Sequence, residues 1–260
     1  MTAPDTQTPR RQVALFVTCL VDLFRPSVGM AAVKLLEDAG CDVVVPEGQT
    51  CCGQPGYNSG DRIAAIAVAR RAIATLEPYA HIVVPSGSCG GMIQKHYPDL
   101  FAGDSVWQPR ARAVARKTHE LTAFLTGVLG QTSVAARFPA NATYHDSCSA
   151  LREMGVRGQP RQLLATVEGL TITELSERDA CCGFGGTFAV KYPDISNAIV
   201  EKKTADVAAT GADLLISGDM GCLLNMAGKL KREGSKIQVR HVAEVLAGMT
   251  EIAAIGEGAR

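Results

Sequence analysis

One cysteine pattern occurs twice in this chain. Cys19 is followed by 31 residues and then by Cys51-Cys52-Gly53, after which the 35 residues 54 to 88 lead to Cys89. In the second half Cys148 is followed by 32 residues and by Cys181-Cys182-Gly183, and the 38 residues 184 to 221 lead to Cys222. A repeat of this kind has to be settled before a fold is assigned, because each copy is then one structural unit. Any role given to one cysteine doublet must also serve the other.

The segments between the cysteines match in type. "VALFVTC" and "ATYHDSC" read as short strands that deliver Cys19 and Cys148 at their carboxyl ends. "SVGMAAVKLLEDAG" and "QPRQLLATVEG" read as helices stopped by Gly40 and Gly169. The strands "CDVVVP" and "LTITEL" follow, each leading to a CCG. Beyond it, "DRIAAIAVARRAIATLEP" and "DISNAIVEKKTADVAATG" have helical apolar spacing, with Asp61 and Asp194 expected as amino-terminal caps. "HIVVPS" and "DLLISG" then run as strands into Cys89 and Cys222, and "THELTAFLTGVLG" and "RHVAEVLAGM" are expected to close the halves as helices.

Alternation of strand and helix predicts an α/β fold of two homologous repeats, each a mainly parallel sheet flanked by helices in the manner of a Rossmann half. The expected boundaries are 11–130 for the first repeat and 141–250 for the second, joined near residues 130–141, with flexible ends at 1–10 and 251–260. In open α/β sheets, sites form at the carboxyl ends of the strands. All the patterned cysteines fall there, so four thiols of each half are expected to meet in one pocket.

Composition narrows the function. The chain has 260 residues, with 26 Lys plus Arg against 26 Asp plus Glu, so no basic field exists to capture nucleic acid or an anionic membrane surface. The apolar runs fall far short of the roughly 20 residues of a membrane helix, which predicts no integral membrane segment. The polar start "MTAPDTQTPRRQ" has no apolar signal core, and the expected location is the cytoplasm. Nine cysteines in a reducing compartment read as metal ligands or redox thiols rather than as a disulfide framework.

Four cysteines supply one thiolate to each iron of a [4Fe-4S] cluster. Neighbouring cysteines on a regular strand point to opposite faces, so both reach one cofactor only where the backbone bends. The glycine after each doublet allows that bend. Helix amino termini at Cys89 and Cys222 would offset the negative charge of such a cluster. Zinc in one repeat is the main alternative, which would make the chain a zinc-stabilised scaffold that binds partner subunits, although zinc sites usually draw on closely spaced Cys-x-x-Cys pairs that are absent here. A thiol–disulfide enzyme working through the doublets is a further alternative, weakened by the strain of vicinal disulfides.

The remaining candidates are weaker. Cys41 has Leu170 as its counterpart and reads as core. "GFGGTF" lacks the third glycine of a dinucleotide fingerprint, since Phe188 stands there. His145, Asp146 and Ser147 are consecutive and cannot face one another as a triad. His145 reads as a strand-end histidine, with tuning of a second cluster as the alternative. His96, His119 and His241 fall in helical contexts without an identifiable partner.

The lone Cys, the CCG and the later Cys, twice over, resemble the cysteine-rich CCG domain of heterodisulfide reductase and related iron–sulfur oxidoreductases. "LFVTCLVDLF", "PEGQTCCGQPGYNSG", "PSGSCGG", "CCGFGGTFAVK" and "HVAEVL" resemble more closely the lactate utilization protein A family, over almost the whole chain. That resemblance implies an iron–sulfur subunit acting with two companions, lactate utilization proteins B and C, in oxidising L-lactate to pyruvate. It implies cluster ligands at Cys19, Cys51, Cys52 and Cys89, and at Cys148, Cys181, Cys182 and Cys222. The fuller CCG pattern ends in Cys-x-x-Cys, whereas Ser86 and Asp219 stand at the first of those positions. This departure argues against a five-cysteine noncubane cluster and heterodisulfide reductase-like thiol/disulfide chemistry. Ser86 and Asp219 are read as solvent-facing turn residues, with an oxygen ligand as the alternative.

Overall fold

Alternation in β1 (Arg11–Leu15) shows how the halves are organised: Val13 and Leu15 enter a core shared by both halves, while Ala14 and Phe16 enter one confined to the first. The computed structural model describes residues 10–257. In the first half β1 lies between β2 (Cys41–Val44) and β3 (Ile82–Val84), and β4 (Thr118–Glu120) completes the order β2-β1-β3-β4. The second half repeats it as β6-β5-β7-β8, with β5 Arg137–His145, β6 Glu168–Ile172, β7 Leu214–Ser217 and β8 Gln238–His241. Every pairing is parallel. Helices connect the strands, as parallel pairing requires.

Local signals account for most helix boundaries. Pro26 opens the helix Pro26–Asp38, and Gly40 at φ 82° turns the chain into β2. Asp61 caps the helix Arg62–Leu76 by accepting the Ala64 N–H at 3.0 Å, as the sequence predicts. The corresponding helix, Pro193–Ala209, differs from expectation. Pro193 takes its first position and Tyr192 its cap, so Asp194 lies in the first turn. Proline costs no hydrogen bond there, and the carboxylate still faces the positive end of the helix.

Two further differences concern the closing segments. Residues 118–120 and 240–241 are strand rather than helix starts, because each segment pairs with the neighbouring strand of its sheet, Val84 opposite Glu120 and Ser217 opposite His241. The first half also contains a helix, Trp107–Lys117, that the repeat pattern does not predict. Within the expected flexible end at 251–260, Ala254 and Ile255 are buried and Ile255 N–H donates to the Val239 carbonyl at 2.8 Å, while Glu251, Ile252, Gly256 and Glu257 are exposed. The expected flexible residues 1–9 and 258–260 lie outside the described residues.

The halves are packed into one body. The shared core takes Val13, Leu15 and Leu36 from the first half and Leu214, Val239 and Val242 from the second. Glu244, fully buried, accepts from Arg25 Nε at 2.7 Å and from Ser27 Oγ at 2.6 Å across the interface. The short helix Gly87–Gly91 lies against Cys148–Arg152, so closely that a Cβ on Gly87 would overlap Ala150. The segment bearing Cys89 therefore abuts the segment bearing Cys148.

Candidate metal centres

In the first half Cys19 is the first residue of the helix Cys19–Phe24, just beyond the carboxyl end of β1. Thr18 before it has φ 76°, the one positive φ at a non-glycine among the described residues. A β-branched residue rarely adopts that conformation, which costs on the order of 1–3 kcal/mol and is typical of functional sites. Cys51 and Cys52 follow β2, and Gly53 at φ 86° turns the backbone after them. Cys52 Sγ lies 3.3 Å from Cys89 Sγ, and Cys51 Sγ accepts the Gly53 N–H at 3.4 Å. Cys19, the fourth thiol, borders the same cavity as Cys51, Cys52 and Cys89.

The second half repeats this arrangement. Cys148 opens the helix Cys148–Arg152 just beyond the carboxyl end of β5. Gly183 at φ 81° supplies the bend, and its N–H donates to Cys181 Sγ at 3.3 Å. Cys182 Sγ is 2.9 Å from Cys222 Sγ, which stands in the first turn of the helix Met220–Arg232. The chain thus forms two thiol nests, in which Cys52 meets Cys89 and Cys182 meets Cys222, with Cys51 and Cys181 adjacent in the doublets and Cys19 and Cys148 at the starts of the helices that follow β1 and β5, while Cys41 is buried in the shared core.

Within each nest the thiols share protons unevenly. The neighbouring Cys19 and Cys52 thiols hold Cys51 well below the ordinary thiol range and are themselves pushed up. In the second nest, Cys148 and Cys182 hold Cys181 down in the same way. Thiols that can ionise only at one another's expense suit a cation that displaces their protons. Beside the first nest lies a cavity of about 240 Å³, bounded by Cys19, Cys51, Cys52 and Cys89 and by Phe184 and Met220 of the second half.

Ser86 and Asp219 do not face solvent. Both are buried, and each caps the helix that carries its cysteine: Ser86 Oγ accepts from Cys89 N at 3.3 Å and Asp219 Oδ1 from Gly221 N at 3.2 Å. Asp219 Oδ2 also accepts from Ser88 N at 2.8 Å and Ser86 Oγ at 3.2 Å, so the two caps meet across the interface. Packing of the halves excludes water from what sequence alone presents as a turn.

Other supports have no sequence signal. Tyr97 Oη donates to the Cys52 carbonyl and Asn225 Nδ2 to that of Cys182, each at 2.8 Å, from positions more than forty residues away. Gln49 binds both Val17 N–H and the Leu15 carbonyl, pinning the approach to Cys51 onto the end of β1. Asp146 is held by both terminal nitrogens of Arg161 at 2.8 Å, which removes it from any catalytic triad. His96 does have a partner, Glu153 Oε1 at 3.3 Å, while His241 caps the helix Val242–Leu246 and His119 lies in β4. His145 ends β5 fully buried, and burial followed by nearby Lys203 pushes its imidazole down to about 3. One of its ring nitrogens forms a group with Cys182 and Cys222 Sγ in which all three atoms lie within 4.8 Å of one another.

Two blocks of the chain, residues 13–94 and 142–227, match the model of the cysteine-rich domain family. The curated lactate utilization protein A of Exiguobacterium sp. is 51% identical over 236 residues, covering 90% of this chain and 96% of that protein. The chain belongs to the lactate utilization protein A family. A second member, lactate utilization protein A 2 of Bacillus cereus, is 48% identical over 91% of this chain and 98% of its own length. Among solved structures, a hypothetical protein from Helicobacter pylori aligns with TM-score 0.66 at 13% identity, over 98% of this chain and 51% of that one. This chain thus spans about half the length of that protein, and the likeness shows the fold alone. No helix among the described residues is long and apolar enough to cross a membrane.

Proposed function

We propose that the chain is the iron–sulfur electron-transfer subunit of a complex that oxidises L-lactate to pyruvate, working with companion lactate utilization proteins B and C. The observation that carries this reading is the meeting, in each repeat, of a doublet cysteine with a distant one, Cys52 with Cys89 and Cys182 with Cys222, beside a glycine bend. Clusters bound there, [4Fe-4S] in type and one per repeat, would supply one-electron acceptance and release. Cys19, Cys51, Cys52 and Cys89 would hold one, and Cys148, Cys181, Cys182 and Cys222 the other. The chain's own part is to ionise these thiols, to direct the Gly53 and Gly183 N–H groups at sulfur, and to keep the two nests in contact through Asp219. The family name supports the link to lactate. Oxidation of lactate itself is assigned to another member of the complex.

Metal and sulfide analysis of the full chain, purified without oxygen, tests this. On the order of eight iron and eight sulfide per chain are expected for two four-iron clusters, with a brown colour. Zinc without sulfide in both repeats overturns the reading. A second reading, zinc in the second repeat alone, draws on His145, because two thiols and one imidazole nitrogen make a set that zinc accepts. The same analysis separates the two.

A further inference from the structure

The two nests differ at one buried position. His145 and Phe16 each stand three residues before the first cysteine of their repeat. Phe16 packs in the first half's own core together with Cys52, and Cys51 and Cys89 lie against that core. His145 is buried to the same degree, yet neither ring nitrogen has a hydrogen-bond partner among the described residues. Buried polar atoms in native structures are almost always paired, so an unpartnered imidazole calls for a ligand. Its neighbours Cys182 and Cys222 supply the direction in which that ligand lies.

We propose that His145 donates a ring N–H to sulfur of the metal group held by the second repeat, and so makes that site the stronger electron acceptor of the pair. The proposal rests on the electron-transfer reading above. A neutral imidazole carries one N–H, and a hydrogen bond to sulfur withdraws charge and favours the reduced form. Phe16 offers the first repeat no such donor. With clusters bound in both repeats, electrons would pass from the first site to the second, one leaving the former for each that enters the latter, while His145 would keep its proton. His145 acts as a positioning residue, and it gives direction to two otherwise matched nests.

The test is a redox titration of the full chain, prepared without oxygen and followed by electron paramagnetic resonance, on the wild type, His145→Phe and His145→Gln. Phenylalanine is the residue of the first repeat, and glutamine retains an N–H donor. In His145→Phe, one site is expected to become harder to reduce by about tenfold in its equilibrium, about 59 mV for a one-electron couple, with the other unchanged. His145→Gln is expected to recover about half of that tenfold shift. In wild-type protein enriched with 15N-histidine, weak nitrogen coupling is expected on one reduced site, a measurement that needs no variant to fold.

Unchanged potentials in His145→Phe, absence of nitrogen coupling, or coupling strong enough for a direct iron–nitrogen bond would overturn the proposal. Iron, zinc and sulfide are counted on the same samples. Two loaded clusters without nitrogen coupling overturn the role of His145 alone. Zinc in place of iron and sulfide in the second repeat overturns two-cluster electron transfer, and this proposal with it.

Discussion

Asp219 Oδ2 accepts the Ser88 N–H at 2.8 Å across the interface between the repeats, while Oδ1 of the same carboxylate caps its own helix at Gly221. Ser88 precedes Cys89, and Gly221 precedes Cys222. One carboxylate therefore fixes the last cysteine of both nests. Serine at this position would still cap its own helix but is too short to reach Ser88, and alanine would do neither. Asp219→Ala is expected to cost about 1–3 kcal/mol, since a buried N–H loses its acceptor and the cap is lost as well. Asp219→Ser should fall between it and the wild type. Urea midpoints of the three proteins check the order, and equal midpoints for serine and aspartate would show that the bond across the interface contributes nothing.

Gly53 and Gly183 have the same backbone conformation but different surroundings. A Cβ on Gly53 would come no closer than 3.4 Å to its neighbours, whereas on Gly183 it would lie 2.7 Å from the Ser196 carbonyl oxygen. Both alanine variants carry the left-handed penalty of roughly 1–2 kcal/mol. Only Gly183→Ala must also displace the helix Pro193–Ala209. Thermal unfolding should therefore show the larger loss for Gly183→Ala, and metal content per chain should fall further in that variant.

Arg25 and Glu244 form a pair in which the carboxylate is fully buried. Removing the guanidinium alone, as in Arg25→Met, leaves an uncompensated charge in the interface and is expected to cost about 3–5 kcal/mol. Arg25→Met combined with Glu244→Gln should regain much of that loss. A double-mutant cycle in urea measures the coupling, and additive losses would contradict it.

The pairing of Arg161 with Glu174 gives a pH dependence of known sign. Arg161 hydrogen bonds hold the Glu174 carboxyl below its ordinary value of 4.5. A carboxylate depressed on folding adds stability above its unfolded value, and that stability is lost as pH falls through the folded value. Wild-type stability should accordingly decline below pH 4.5. Glu174→Gln should be less stable at neutral pH and decline less steeply in acid, which denaturant titrations across that range would reveal.

The features legible in the chain are those set by near neighbours. Strand alternation in β1, the cap at Asp61, the turn at Gly40 and the bend at both CCG glycines depend on residues within a few positions of one another, so their chemistry is written in short stretches. The repeated spacing extended that reading to two thiol nests. Ser86 and Asp219, 133 residues apart, look like turn residues until the halves dock and exclude water. The same docking sets Arg25 against Glu244, 219 residues away, and long-range packing brings Tyr97 and Asn225 to the doublet carbonyls. β4 and β8 become strands because each meets a sheet edge whose N–H and C=O groups require partners. Local sequence therefore determined which atoms the chain has available for a metal, and tertiary packing decided how the two sites are held together, because burial turns polar groups from separate regions into obligatory partners.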